Sequence, residues 1–193
     1  MFILKKIIIA TCFFIGLSNA VSAASSLSEN LSDGQHVLLM RHADAPGYGD
    51  PTGYQLGQCS TQRNLGEYGR QQAKKIGQWL RAQGITSAQV FSSPWCRCLD
   101  TAKLLNQGTV ATAPEIGSFF DDMNQEKKQT KELEGLIKAQ LAKHPNTPII
   151  YVTHHVNIQG FTGKAVASGD MVLVKVNKNG QYLSHQLYPS PTP

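Results

Sequence analysis

Charge is scarce in this 193-residue chain: Asp, Glu, Lys and Arg together make up 16% of it. That scarcity excludes a solvated tail and a highly charged helical rod. No internal repeat is visible, and no lysine–arginine stripe gathers the formal net charge of +5 into one surface. The basic balance therefore points to a local anion site rather than to nucleic acid. Long apolar runs are missing too. The longest, Ile7 to Leu17, has eleven residues, and at about 1.5 Å per residue it cannot span a hydrocarbon core of roughly 30 Å. Cysteine is rare, with four in all. The 41% hydrophobic content is ordinary for one compact domain and excludes disorder, collagen and a pure coiled coil.

Residues 1–23 have the layout of an export signal. Lys5 and Lys6 form a basic start, Ile7 to Leu17 an apolar run, and Ser18 to Ala23 a small-residue cleavage site. Cleavage is expected after Ala23, with Ala20 as the alternative. Cys12 lies inside the apolar run, which argues against lipidation. Removal of Lys5 and Lys6 from the 18 basic residues leaves 16 against 13 acidic ones, a net of +3. Cys59, Cys96 and Cys98 remain. In an oxidising compartment a disulfide from Cys59 to either Cys96 or Cys98 is expected. The Cys96-x-Cys98 spacing is too tight for the usual zinc pairs.

Residues 24–35, rich in Ser, Asn and Gly, read as a flexible lead-in to a domain over residues 36–188, and residues 189–193 as a tail. His36 to Met40 reads as a buried strand. A Gly/Pro-rich loop covers Pro46 to Gln58. Asn64 and Glu67 have the spacing of a capping box for a helix to about Gln83, with Ala73, Ile76, Trp79 and Leu80 on one stripe. Gln89 to Ser93 reads as a second strand, and Pro94 as the first position of a helix carrying Cys96 to Leu105. A third helix is predicted from about Gln125 to Lys143, with Leu133, Leu136, Ile137 and Leu141 as its apolar face. Pro148 to Thr153 follows as a strand, then a short helix from Asn157 to Gly163. Met171–Val176 and Gln181–Tyr188 are strands joined by the hairpin signal Asn177-Lys178-Asn179-Gly180. Strands alternating with helices imply a three-layer α/β sandwich around a mostly parallel sheet. The final hairpin adds at least one antiparallel strand.

In such sheets ligands gather beyond the carboxyl ends of the strands. Three of those ends carry Arg41-His42, Ser92-Ser93-Pro94 with Arg97, and His154-His155. Guanidiniums offer planar bidentate donors to an oxyanion, and the helix after Pro94 adds positive charge from its N-terminus. An imidazole held there can attack phosphorus in line, and a second can bind the equatorial oxygens.

The sequence resembles the histidine phosphatase superfamily, which includes the phosphoglycerate mutases. The resemblance is carried by Leu39-Met40-Arg41-His42-Ala43, by Gln62-Arg63-Asn64-Leu65 with Gly69-Arg70-Gln71-Gln72-Ala73, by Ser92-Ser93-Pro94 with Arg97 and Thr101-Ala102, and by Val152-Thr153-His154. It implies that His42 forms a phosphohistidine and that Arg41, Arg97 and His154 make the phosphate pocket, without a metal or other cofactor. A general acid is implied in the segment of Asp121 and Asp122, although either could instead cap the next helix. Another branch carries the acid directly after the second histidine. Here that position is His155, and whether it donates a proton is open. Asn157 either lines the pocket or caps the short helix, and Arg63 either reaches substrate or pairs with Asp100. Cys59 is positioned to tie its loop to the Arg97 helix. The implied protein is an exported, metal-independent phosphomonoesterase, periplasmic or secreted. Its substrate would be a small phosphorylated molecule, with phosphorylated lipopolysaccharide sugars as the analogy from small envelope members. The alternatives are a non-catalytic phosphate-ligand binder and a protein phosphatase acting on phosphohistidine.

Overall fold

A computed structural model of the chain describes residues 25–192. The export signal expected over residues 1–23 lies outside the described residues. Six strands form one sheet: β1 (His36–Arg41), β2 (Gln89–Ser92), β3 (Val110–Thr112), β4 (Ile149–Thr153), β5 (Met171–Val176) and β6 (Tyr182–Tyr188). Their order is β3-β2-β4-β1-β5-β6. The first four run parallel, and β5 and β6 are antiparallel additions. Alternation along the buried strands feeds two cores. Leu38, Met40, Ile150 and Val152 point to one face, against Ile76 and Leu80 of α2 (Glu67–Ala82) and Ala102 and Leu105 of α3 (Cys96–Leu105). Val37, Leu39, Ile149 and Tyr151 point to the other, against Leu133, Ile137 and Leu141 of α4 (Glu126–Lys143) and Ile158 and Phe161 of α5 (His155–Thr162). The expected three-layer sandwich is the observed fold.

Several local expectations are corrected. The lead-in is not flexible throughout, because Leu27–Leu31 forms a short helix, α1. Ser26 and Glu29 close a capping box around its start, while Leu27 and Leu31 bury their side chains in the α2–α3 core. The box predicted at Asn64 and Glu67 does not form. Gly66 is the N-cap of α2, and Asn64 donates instead to the carbonyls of Cys59 and Gln62, which the preceding turn brings within reach. Pro94 stands before α3 rather than at its first position, because Trp95 keeps an extended backbone and acts as N-cap. The short helix α5 begins at His155, two residues earlier than expected. Strand β3 was not predicted: it has three residues, two of them exposed, at the sheet edge. The tail is held where Ser190 N–H donates to Asp170 at 3.0 Å and Gln72 reaches the Ser190 hydroxyl at 2.9 Å.

Helix α2 lies hard against the segment following β1. A Cβ on Gly69 would stand 1.9 Å from the Asp44 carbonyl oxygen, so only glycine permits this approach.

Candidate active site

Arg41 ends β1, and His42 follows it at the centre of the sheet. The register sets Arg41 beside Thr153 of β4, and the His42 N–H donates to the Thr153 carbonyl at 2.9 Å. His154, next along β4, thereby arrives beside His42, with ring centroids 5.5 Å apart. Arg97, from the first turn of α3, donates through Nε to His42 Nε2 at 3.3 Å. His42, Arg97 and His154 are all buried.

The two imidazoles are held differently. His42 Nδ1 lies 2.7 Å from the Ala43 carbonyl oxygen, an acceptor only, so the proton sits on Nδ1 and the lone pair on Nε2. Ala43 is fixed in turn: its N–H donates to the Thr101 hydroxyl at 3.0 Å, and that hydroxyl donates to the Arg97 carbonyl at 2.7 Å. His154 engages the Ser93 hydroxyl through Nε2 at 2.8 Å, with the Cys98 thiol 3.5 Å from the same nitrogen. Trp95 packs edge-on against its ring at 5.1 Å. Burial, joined by neighbouring positive charge, pushes the pKa of both His42 and His154 well below the ordinary imidazole value. Both rings are therefore neutral near pH 7. The Cys98 thiol is pushed up to about 12 by burial, so it is a packed thiol and not a thiolate.

Asp50, in the Gly/Pro-rich loop, escaped the sequence reading. Its carboxylate accepts from Arg97 Nη1 at 2.9 and 3.0 Å, from the Arg63 backbone N–H at 2.9 Å and from Trp95 Nε1 at 3.1 Å. Arg97 and Asp50 are each 5% exposed, so this is a buried, fully engaged ion pair. The only sequence signal was an acidic residue in a glycine loop, a pattern that loops share widely. Arg63 does not pair with Asp100, which Arg70 takes at 3.2 Å. Instead it lines the pocket, with Nε donating to Gly49 O at 2.8 Å and Nη1 to Ala45 O. The Cys59–Cys96 disulfide binds the same loop to the first residue of α3 and leaves Cys98 as the free thiol. Gln62 supports this junction by accepting from Cys96 N–H at 2.9 Å.

These residues surround a pocket of about 290 Å³ whose lining includes Arg41, His42, Arg63, Arg97, His154 and His155. Arg41 donates through Nη1 to Val166 O at 2.9 Å, while its buried Nε has no partner among the described residues. A buried donor without an acceptor is costly, and an anion in the pocket would satisfy it. His155 stands higher on the wall, half-buried against Phe120, and burial and Arg41 lower its pKa. Asp121 lines the pocket and accepts from the Tyr54 hydroxyl at 3.2 Å. Asp122 does not. It caps the Met123–Gln125 turn by accepting from Asn124 N–H. Asn157 neither lines the pocket nor caps a helix: it lies inside α5 and donates to Gly117 O at 2.7 Å. Among the described residues, no group of three His, Cys, Asp or Glu side chains is arranged to hold a metal, and no helix is long and apolar enough to cross a membrane.

The sequence model described as the histidine phosphatase superfamily (branch 1) matches residues 37–124. Among solved structures, the protein histidine phosphatase SixA complexed with tungstate superimposes with a TM-score of 0.58 at 16% identity, covering 80% of this chain and 97% of SixA. Phosphoserine phosphatase from Entamoeba histolytica, in complex with 3-phosphoglyceric acid, gives 0.55 at 15%, covering 77% and 93%. The putative phosphohistidine phosphatase SixA from Agrobacterium tumefaciens gives 0.53 at 15%, covering 83% and 98%. No curated protein matches the sequence. At these identities the structural likeness is one of fold. The family model thus matches residues 37–124 of the 193, and the solved structures share the fold.

Proposed function

We propose that the protein is an exported, metal-independent phosphomonoesterase that works through a phosphohistidine on His42. The observation that carries this is the state of His42: Nδ1–H tied to the Ala43 carbonyl, a neutral ring, and Nε2 directed at a guanidinium. Nucleophilicity at phosphorus needs that lone pair, and Arg97 covers it only until a phosphate oxygen takes over the N–H. Arg41 and Arg97 hold the phosphate oxygens, with His154 donating from Nδ1, since its Nε2 is engaged by Ser93. His42 Nε2 then forms the N–P bond while the ester P–O bond breaks, and the leaving oxygen takes a proton from the Asp121 carboxyl. In the second half, water gives a proton to Asp121 and attacks phosphorus, the N–P bond breaks, and phosphate departs.

The Cys59–Cys96 disulfide fits export to an oxidising compartment. Within that compartment the substrate we favour is a small phosphorylated envelope sugar. A protein phosphatase for phosphohistidine is the second reading. It draws on the engagement of Asp121 by Tyr54, because a departing imidazole needs less protonation than an alkoxide.

The test is burst and steady-state hydrolysis of an aryl phosphate in EDTA, with His42→Ala alongside. Metal-independent turnover lost by at least about 10³-fold in the variant is expected. Turnover that survives in His42→Ala would overturn the covalent route. Phosphate binding with no turnover of any ester would favour a non-catalytic binder.

A further inference from the structure

The mouth of the pocket carries a feature that phosphate chemistry does not use. Tyr48 is 88% exposed, the most exposed large apolar side chain among the described residues, and it stands on the pocket lining. It occupies a loop tip between Gly47 and Gly49, whose φ values of +96° and +65° turn the chain around it. Although exposed, the ring is placed. Its centroid lies 5.3 Å from that of Phe120 in an edge-to-face arrangement at 79°. Phe120 is half-buried and lies 5.7 Å from His155. Three rings thus descend along one wall from the mouth towards the floor.

An apolar ring left in water gains nothing for the fold, and a single edge-to-face neighbour leaves its surface free for a ligand. Charge is divided along the same axis. The cations on the lining are Arg41, Arg63 and Arg97, and Arg63 is already tied to loop carbonyls. Beside the aromatic wall stands the Asp121 carboxyl group, next to the Tyr54 hydroxyl. The mouth therefore suits a neutral group with a broad face and hydroxyls. A volume of about 290 Å³ lies at the small-molecule end of the range for binding pockets.

We propose that Tyr48 and Phe120 form a subsite for the ring, a sugar or an aromatic one, of the ester whose phosphate occupies the arginine–histidine floor. The proposal rests on the phosphate-site reading above and adds the class of leaving group. Ring faces stack on aromatic side chains, while Asp121 accepts from ring hydroxyls.

Phosphonates separate this subsite from catalysis, because they bind without being hydrolysed. Calorimetry would compare phenylphosphonate with methylphosphonate on the wild type, Tyr48→Ala and Phe120→Ala. We expect the wild type to prefer the phenyl compound by about three- to tenfold. Tyr48→Ala should bring that ratio below about twofold without changing methylphosphonate affinity. Titration of a hexose 1-phosphate and of glycerol 3-phosphate into His42→Ala, with and without Tyr48→Ala, assigns the ring: loss of hexose preference supports a sugar, and loss of phenyl preference alone an aromatic ring. Equal affinities in the wild type, or a ring preference that survives both aromatic substitutions, would overturn the subsite. Failure of either phosphonate to bind would overturn the phosphate floor and the subsite with it. A ring preference removed by Tyr48→Ala in a protein that hydrolyses no ester would uphold the subsite and reject the phosphatase.

Discussion

On one side of the pocket, Arg41, His42 and His154 leave the ends of two adjacent parallel strands, and the sheet itself sets their spacing. On the other side, Asp50 and Tyr48 stand on a glycine-rich loop that has no ladder of its own, with Arg63 just beyond it. That loop is positioned by a buried carboxylate, by arginine bonds to backbone carbonyls and by one disulfide. The strand side is rigid because strand pairing on both edges and a buried core on each face hold it. The loop side is only as rigid as a few polar and covalent ties, and each tie can be removed singly.

The largest effect should come from Asp50→Asn, which leaves the buried Arg97 guanidinium without its counter-charge. Loss of one partner of a buried pair costs about 3–5 kcal/mol. Urea unfolding should show it, together with weaker phosphate binding. Asp100→Asn, which breaks the partly exposed pair with Arg70, should cost less than about 1 kcal/mol. Equal costs for the two would erase the contrast between the walls. Cys59→Ser comes next. Opening a loop with a sequence separation of 37 costs about 2–4 kcal/mol. Phosphate affinity should fall with it, since the loop's grip on α3 is loosened.

Asp121→Asn should slow the hydrolysis of alkyl phosphates by about 100-fold. Asp122→Asn, changing only the exposed cap of the Met123–Gln125 turn, should leave the rate alone. An equal loss in both would show that the carboxylates act through loop structure and not through proton transfer. A pH dependence belongs to the strand side. His42 and His154 are buried as neutral rings with lowered pKa, whereas in the unfolded chain they titrate near 6.5. Below 6.5 the unfolded chain binds more protons, so stability is complete above that pH and is lost as pH falls towards the lowered folded values. The slope should approach about 1.4 kcal/mol per pH unit for each ring, measurable by urea titration between pH 7 and 5. Replacing His154 by Gln should reduce it.

The same division explains what the sequence disclosed. The strand side is written in short contiguous motifs, where an apolar run ends in Arg41-His42 or in His154, and strand ends of a parallel sheet meet by topology alone. The order of layers and most helix limits follow from periodicity in the same way. The loop side depends on partners tens of residues apart. Nothing near Asp50 announces Arg97, and Asn157 has the same local signature whether it faces a ligand or the Gly117 carbonyl. Asp121 and Asp122 are neighbours with opposite surroundings, which only the turn of the backbone between them decides. The capping box at Asn64 failed for a related reason: the turn at Cys59 offered its amide nearer acceptors.

The hydrogen bond from His42 N–H to the Thr153 carbonyl joins residues more than a hundred positions apart. Parallel pairing over such a separation forms late, because a large loop must close before any bond repays it. The Arg41-His42 segment, although near the start of the chain, waits for the last third of the polypeptide before it has a second histidine beside it. In a nascent chain the two histidines are therefore apart, and the site is assembled only with the completed sheet.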